Sequence, residues 1–141
     1  MKQEDKELIL RDLCARLPYG VKIKTSYDKM SEPIELRFIN PRNESFAVGS
    51  NFTLISGLDF DKYDCKPYLY PLSSMTEEQY ESLDKSNCAH SIEYSGKNGF
   101  KCLCFKTYSL ELIDWFHKNH FDYRGLIEKG LAIDCTNLDI Y

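Results

Sequence analysis

Apolar residues recur along this chain with two periods, and each change of period marks an element. Over residues 4–17, Ile9, Leu13 and Leu17 fall four apart with Leu10 and Cys14 beside them, and Pro18-Tyr-Gly20 closes the run. That spacing lays them along one side of a helix. From Val21 to Tyr27 the period drops to two: Val21, Ile23, Thr25 and Tyr27 on one face, Lys22, Lys24 and Ser26 on the other. Ile34 to Ile39 alternates too, with Ile34, Leu36 and Phe38 inward and Glu35 and Arg37 outward. The turn-rich residues 28–33 between them predict an antiparallel hairpin in which Tyr27 opposes Ile34, Thr25 opposes Leu36 and Ile23 opposes Phe38. A slip of one residue would turn every apolar side chain to the wrong face.

The pattern then weakens. Residues 40–50 carry Pro41, Asn43 and Gly49 and read as a loop. Residues 51–58 read as a strand with Phe52 and Leu54 on one face, Thr53 and Ile55 on the other, and Gly57 marking a bulge or the strand end. Residues 59–71 read as irregular, acidic and aromatic, broken by Pro67 and Pro71. Thr76 opens a helix with a capping box, since Gln79 stands at the third helical position, and Met75 and Tyr80 are spaced as a hydrophobic staple. Residues 87–95 and 100–106 read as strands around the turn Gly96-Lys-Asn-Gly99. Phe100 to Phe105 is apolar at nearly every position, which predicts a central strand covered on both sides.

The stretch from Leu110 to Ala132 anchors the fold. Leu112, Ile113 and Phe116 share a helical stripe flanked by Trp115, the only tryptophan. Ser109 is placed to cap the first turn, Glu111 suits its positive end, and His117, Lys118 and His120 suit the carbonyls at the other. A second short helix is expected from Asp122 as N-cap through Leu126 and Ile127 to Gly130, with Leu131 folding back on Leu126 in a Schellman motif and a bend near His120 and Phe121. The tail from Ile133 to Tyr141 is expected either to add a short strand or to lie disordered. The sum is a single α+β domain over residues 1–141: an antiparallel sheet of about five strands packed against three or four helices, with Ile23, Phe38 and Phe116 in the core.

Composition narrows the functional classes. At 141 residues, 43% hydrophobic and 28% charged, the chain has the make-up of one globular domain. A net charge of −4 argues against a broad nucleic-acid surface. Met1 to Glu7 lacks the apolar core of a signal peptide, and no apolar run approaches a membrane span. The expected compartment is therefore the cytoplasm, with no membrane partner. There the six cysteines stay reduced, and the sequons at Asn43 and Asn51 carry no glycan.

Three constellations hold candidate chemistry. Cys88-x-His90 and Cys102-x-Cys104 contain zinc-ligating types, but in the expected hairpin Cys102 opposes Tyr94 and Cys104 opposes Ile92. Cys88 and His90 then lie further along than one ion reaches, and small core cysteines are the plainer reading. His117-x-x-His120-x-Asp122 offers two imidazoles and a carboxylate for general-base or metal-dependent hydrolysis, against a plainer role in capping carbonyls and starting the next turn. Tyr63, Tyr68 and Tyr70, among prolines, suit either a partner-binding surface or a plug over an open core. Asp59, Asp61 and Asp64 lack the glycine and terminal glutamate of a calcium loop. There is no phosphate-binding glycine loop, nucleophile elbow or dinucleotide fingerprint, and no cofactor is expected.

Leu13-Cys-Ala-Arg-Leu-Pro-Tyr-Gly-Val21, Lys66-Pro-Tyr-Leu-Tyr-Pro-Leu-Ser-Ser-Met-Thr76 and His120-Phe-Asp-Tyr-Arg-Gly-Leu-Ile127 together resemble a group of short uncharacterised proteins encoded in phages, prophages and mobile elements of gut bacteria. The resemblance implies a cytosolic accessory protein and assigns no catalytic residue. Three functions follow as expectations: a non-enzymatic module that binds or regulates a host or phage protein; a small hydrolase-like or metal-dependent enzyme using His117, His120 and Asp122; and a weak nucleic-acid binder using Arg11, Arg16, Lys22, Lys24 and Arg37. Oligomeric state is open at this level.

Overall fold

The computed structural model describes residues 1–27, 33–49, 54–60, 62–83, 92–94, 100–102 and 109–141. A helix, α1 (Gln3–Arg16), leads through a short 3-10 turn at Leu17–Tyr19 into a sheet. Its strands are β1 (Lys22–Thr25), β2 (Ile34–Asn40), β3 (Ser45–Gly49), β4 (Leu54–Asp59) and β5 (Cys65–Pro71). A 3-10 turn and the short helix α2 (Glu77–Glu81) follow, then the ribbon strands β6 (Ile92–Tyr94) and β7 (Phe100–Cys102), the helix α3 (Leu110–Lys118) and two-residue strands β8 (Phe121–Asp122) and β9 (Ile133–Asp134). The main sheet has seven strands in the order β4-β3-β2-β1-β5-β8, with β9 also on β5. β1 to β5 pair antiparallel, whereas β8 and β9 join β5 in parallel. The α+β class holds, with a mixed sheet and more strands than the pattern indicated.

Two large apolar bodies and a small third one, Tyr68 with Cys135 and Ile140, fill the fold. One lies between α1 and the inner sheet face: Ile9 and Leu13 meet Val21, Ile23, Leu36, Phe46, Val48 and Leu69, closed by Leu126 and Leu131. The other gathers Met75, Leu83, Leu112, Phe116, Phe121 and Tyr123 around α3. Fully burying a side chain of this size contributes on the order of 1.5–3 kcal/mol, so these two bodies outweigh the local helix and strand preferences.

Several local expectations hold. The Thr76 hydroxyl accepts from the Gln79 N–H while the Gln79 side chain accepts from the Thr76 N–H, a complete capping box, and Met75 and Tyr80 pack into the second core. Ser109 Oγ accepts from the Leu112 N–H at 3.2 Å. Gly57, at φ 75°, sits in the bulge where Ser56 and Gly57 face the single residue Ala47.

Others are corrected. The β1–β2 hairpin pairs Ile23 with Ile34 and Lys22 with Glu35, four residues from the expected register. An even slip keeps the same side chains on the same face, so periodicity alone could not separate the two. A bulge between Leu36 and Phe38 then inverts the rest of β2: Phe38 is 53% exposed, and Ile39 takes the buried place expected for it. Residues 45–49 are not loop but a strand between two others, with Phe46, Ala47 and Val48 all buried. Residues 65–71 are likewise the strand β5. Its Pro67 is tolerated because bonded pairs with β1 run through Ser26–Asp64 and Lys24–Lys66, which turns the Pro67 nitrogen away from β1.

The helix expected from Asp122 is a single turn. Asp122 belongs to β8, and its carboxylate accepts from the N–H groups of Leu126 and Ile127 at 2.9 and 2.8 Å, two positions later than a helix cap reaches. Gly125 at φ 71° breaks the backbone between. The Schellman closure is nonetheless present: the Leu131 N–H donates to Leu126 O and the Gly130 N–H to Ile127 O. Finally, β6 and β7 form their own two-stranded ribbon, not the centre of the main sheet, and pair Ile92 with Cys102. The turn expected at 96–99 lies outside the described residues.

Candidate functional site

The charged centre of the molecule lies where the end of α1 meets the end of α3. Asp12 and Arg16 stand one helical turn apart, on the same stripe as Ile9 and Leu13, and both are wholly buried. Arg16 Nε donates to Asp12 Oδ2 at 2.7 Å and Nη2 to Oδ1 at 3.2 Å. The same guanidinium reaches across to Phe116 O at 3.3 Å and Phe121 O at 2.8 Å. Phe116 O is one of the orphan carbonyls at the C-terminal end of α3, so Arg16 caps a helix other than its own. A buried ion pair is stable only when its remaining donors are satisfied, and these two carbonyls do that. Two charged residues on an apolar helical stripe were the available signal for this centre, and the stripe reading passed over them.

His117, His120 and Asp122 surround this centre but do not form one constellation. His117 is buried, and its Nε2 lies 2.9 Å from the Tyr123 hydroxyl. Burial and then the Arg16 charge lower its pKa below the usual imidazole value. His120 follows α3 in the left-handed region at φ 57°, which swings its ring away from the helix. That ring stacks on Tyr141 with centroids 3.7 Å apart and planes 10° from parallel. Burial, then Arg16 and Lys22, push its pKa down to about 4. Asp122 is buried and raised by desolvation, but both its oxygens serve the backbone N–H groups of the following turn. Among the described residues no hydrogen bond joins Asp122 to either imidazole, and no serine or thiol lies within hydrogen-bond reach of a ring nitrogen.

Tyr141 is the second feature that periodicity missed. By the β1–β5 register the next bonded pair would be Lys22 with Tyr68. There the Tyr141 hydroxyl intervenes, accepting from the Lys22 N–H at 3.0 Å and donating to Tyr68 O at 3.0 Å. Lys22 Nζ donates in turn to Ile140 O at 2.6 Å. The tail thus adds the expected short strand, then wedges a phenol into the sheet.

The tyrosines singled out from the sequence are dispersed. Tyr68 is buried against Cys135 and Ile140. Tyr70 is half-buried, 5.9 Å from the Phe121 ring and 6.2 Å from that of Tyr141. Tyr63 meets Tyr27 edge-on at 5.2 Å. Of the metal candidates, Cys88, His90 and Cys104 lie outside the described residues, and Cys102 is described in its backbone alone. Among the described residues no three His, Cys, Asp or Glu side chains stand close enough to share an ion. The thiols of Cys65 and Cys135 are buried, and burial raises both, Cys135 to about 11, so they are inert thiols at neutral pH.

The basic patch also comes apart. Arg16 is inside the protein, Lys22 is spent on Ile140 O, and Arg37 lies 3.0 Å from Glu35. The outer side of α3 is different. Leu110, 80% exposed, lies with Glu111, Ile113, Asp114 and His117 along a groove of about 420 Å³. Asp114 there accepts from the Tyr19 hydroxyl.

No family model, curated protein or solved structure matches the chain. The fold and the site define an α+β domain with a buried ionic hub. Among the described residues no helix is long and apolar enough to cross a membrane.

Proposed function

We propose that the chain is a non-enzymatic, cytoplasmic accessory protein of a phage or mobile element, which binds and regulates a host or phage protein. One observation carries the non-enzymatic reading: the groups able to do acid–base chemistry are buried, and two of the three are bonded within the fold. His120 is under Tyr141, His117 is on Tyr123, and Asp122 is on the Leu126 and Ile127 N–H groups. A general base needs a lone pair aimed at substrate; His117 and Asp122 are engaged, and His120 Nδ1, which has no hydrogen-bond partner, is buried away from solvent. The same occupancy counts against the metal-dependent hydrolase, and the dispersal of the basic residues counts against nucleic acid.

The outer groove of α3 supplies the binding surface. An exposed Leu110 beside Glu111 and Asp114 suits a partner segment that presents an apolar side chain between lysines or arginines. The test is capture from the native host with tagged wild-type protein and with Leu110→Lys/Glu111→Lys, read by mass spectrometry and then reconstituted with the purified partner. One partner held in fixed ratio, lost in the double variant and weakened by salt, is expected. A partner that binds both proteins equally rules out the groove, and turnover of any substrate abolished by His120→Asn rules out the non-enzymatic reading.

A further inference from the structure

Residues 136–141 are held on the fold by few groups. They add one buried side chain, Ile140, to the small apolar body of Tyr68 and Cys135. Among the described residues their other ties are polar or aromatic. The Tyr141 hydroxyl fills the gap between Lys22 of β1 and Tyr68 of β5. Lys22 Nζ donates to Ile140 O, and the Tyr141 ring lies on His120. A segment tied down so lightly opens at lower cost than the two large cores. Beneath it lies a group placed badly for carrying charge. The His120 ring is buried, and its Nδ1 has no hydrogen-bond partner. The charged groups that bear on it are Arg16 from α1 and Lys22 from β1, both cations. The strap presents Tyr141 and β5 presents Tyr70 behind it, both phenols raised above their usual pKa and so neutral. Of the carboxylates, Asp12 holds Arg16, Asp122 holds the Leu126 and Ile127 N–H groups, and Asp139 is exposed.

We propose that residues 136–141 are a proton-released strap: charging the His120 imidazole lifts them off β1 and β5 while the two large cores stay folded. An imidazolium under Tyr141 would face two cations with neither water nor an acceptor at Nδ1. A tyrosine face attracts a cation, but lost hydration and the two like charges outweigh it, in keeping with a pKa pushed down to about 4. Lifting the strap admits water to the ring. The open form therefore binds the proton more tightly, and its population grows as pH falls. Opening bares the His120 ring and unbridges the Lys22 N–H and the Tyr68 carbonyl, leaving a break in the sheet between β1 and β5. The strap does not depend on the partner-binding reading.

The experiment is amide hydrogen exchange of the full chain, corrected for intrinsic rates, at several pH values and low urea concentrations. Lys22, Leu138 and Ile140 report the strap, and Leu13 and Leu36 report the main core. With Arg16 and Lys22 still near it, the open-form ring titrates at about pH 6, so opening should be roughly ten-fold more frequent at about pH 5 than at about pH 7. The strap amides should exchange faster than the core amides and barely respond to urea, because lifting the strap exposes little surface, whereas the core amides follow the full unfolding slope. His120→Asn should remove the ten-fold pH response of the strap. Tyr141→Phe should speed strap exchange at every pH and keep the response. Strap amides that share the rate and urea slope of the core, or a pH response that survives in His120→Asn, overturn the proposal. If His120→Asn fails to fold, NMR titration of the wild-type ring decides: the Lys22, Leu138 and Ile140 amide shifts should move with the ring, and a ring that titrates while they stay fixed overturns it.

Discussion

Protonation of His120 should destabilise the protein in mild acid, and the size of the effect can be worked from the site. In the folded chain the imidazole is 6% exposed, stacked under Tyr141 and near Arg16 and Lys22, so its pKa falls from 6.5 to about 4. In the unfolded chain it titrates at the ordinary value. Between those values the unfolded state binds a proton that the folded state refuses, so stability rises with pH across the window. The contribution is complete above about pH 6.5, is lost progressively as pH falls, and is flat below about pH 4. At about 1.36 kcal/mol per pKa unit the gap amounts to roughly 3 kcal/mol, a large part of the 5–15 kcal/mol typical of a domain. Urea unfolding followed by Trp115 fluorescence, at half-unit steps from about pH 8 to 4, measures it. His120→Asn is the control, because asparagine tolerates the left-handed backbone and removes the titration. Subtracting the two curves cancels other groups, including the oppositely signed contribution of Asp122, whose pKa is raised. Parallel curves for the two proteins through this window would refute the reasoning.

Three further outcomes follow from the same contacts. Arg16→Met strands the Asp12 carboxylate in the core and uncaps α3, which should cost about 3–5 kcal/mol in urea unfolding, while Asp12→Leu/Arg16→Met should recover much of it. Tyr141→Phe leaves the Lys22 N–H and Tyr68 carbonyl unbridged. It should lower stability by about 1–3 kcal/mol and speed hydrogen exchange at Lys22, and unchanged exchange would remove the wedge. Gly130→Ala meets no atom within 4 Å but keeps φ at 70°, so it should cost about 1 kcal/mol from backbone strain alone. A thermal midpoint equal to wild type would contradict that.

How far each element was legible depends on how local its cause is. The Thr76 box, the Ser109 cap and the Gly130 closure each lie within six residues of sequence, and all three are present. The inward face of β1 followed from alternation, because a period of two survives any even slip of the partner strand. The slip itself, four residues in the β1–β2 hairpin, did not show, because both registers bury the same side chains. Nor did the bulge that exchanged Phe38 for Ile39, since either residue satisfies an apolar pattern. Of the candidate site, His117, His120 and Asp122 do cluster near one helix end, but the left-handed turn at His120 separates the rings. The hub they surround was visible only as two charges on the apolar stripe of α1.

The order of residues by itself determined the caps of α2 and α3, the inward face of β1 and the α+β class, because those rest on hydrogen bonds and side-chain spacing between near neighbours. Tertiary structure alone decided that Pro67 runs through a central strand, that the predicted Asp122 helix becomes one turn beside a parallel strand, and that Arg16 closes the end of α3. Each of these joins groups far apart in the chain, Arg16 and Phe116 by 100 residues. Whether such groups meet depends on the packing of the whole interior, which no short window of sequence contains.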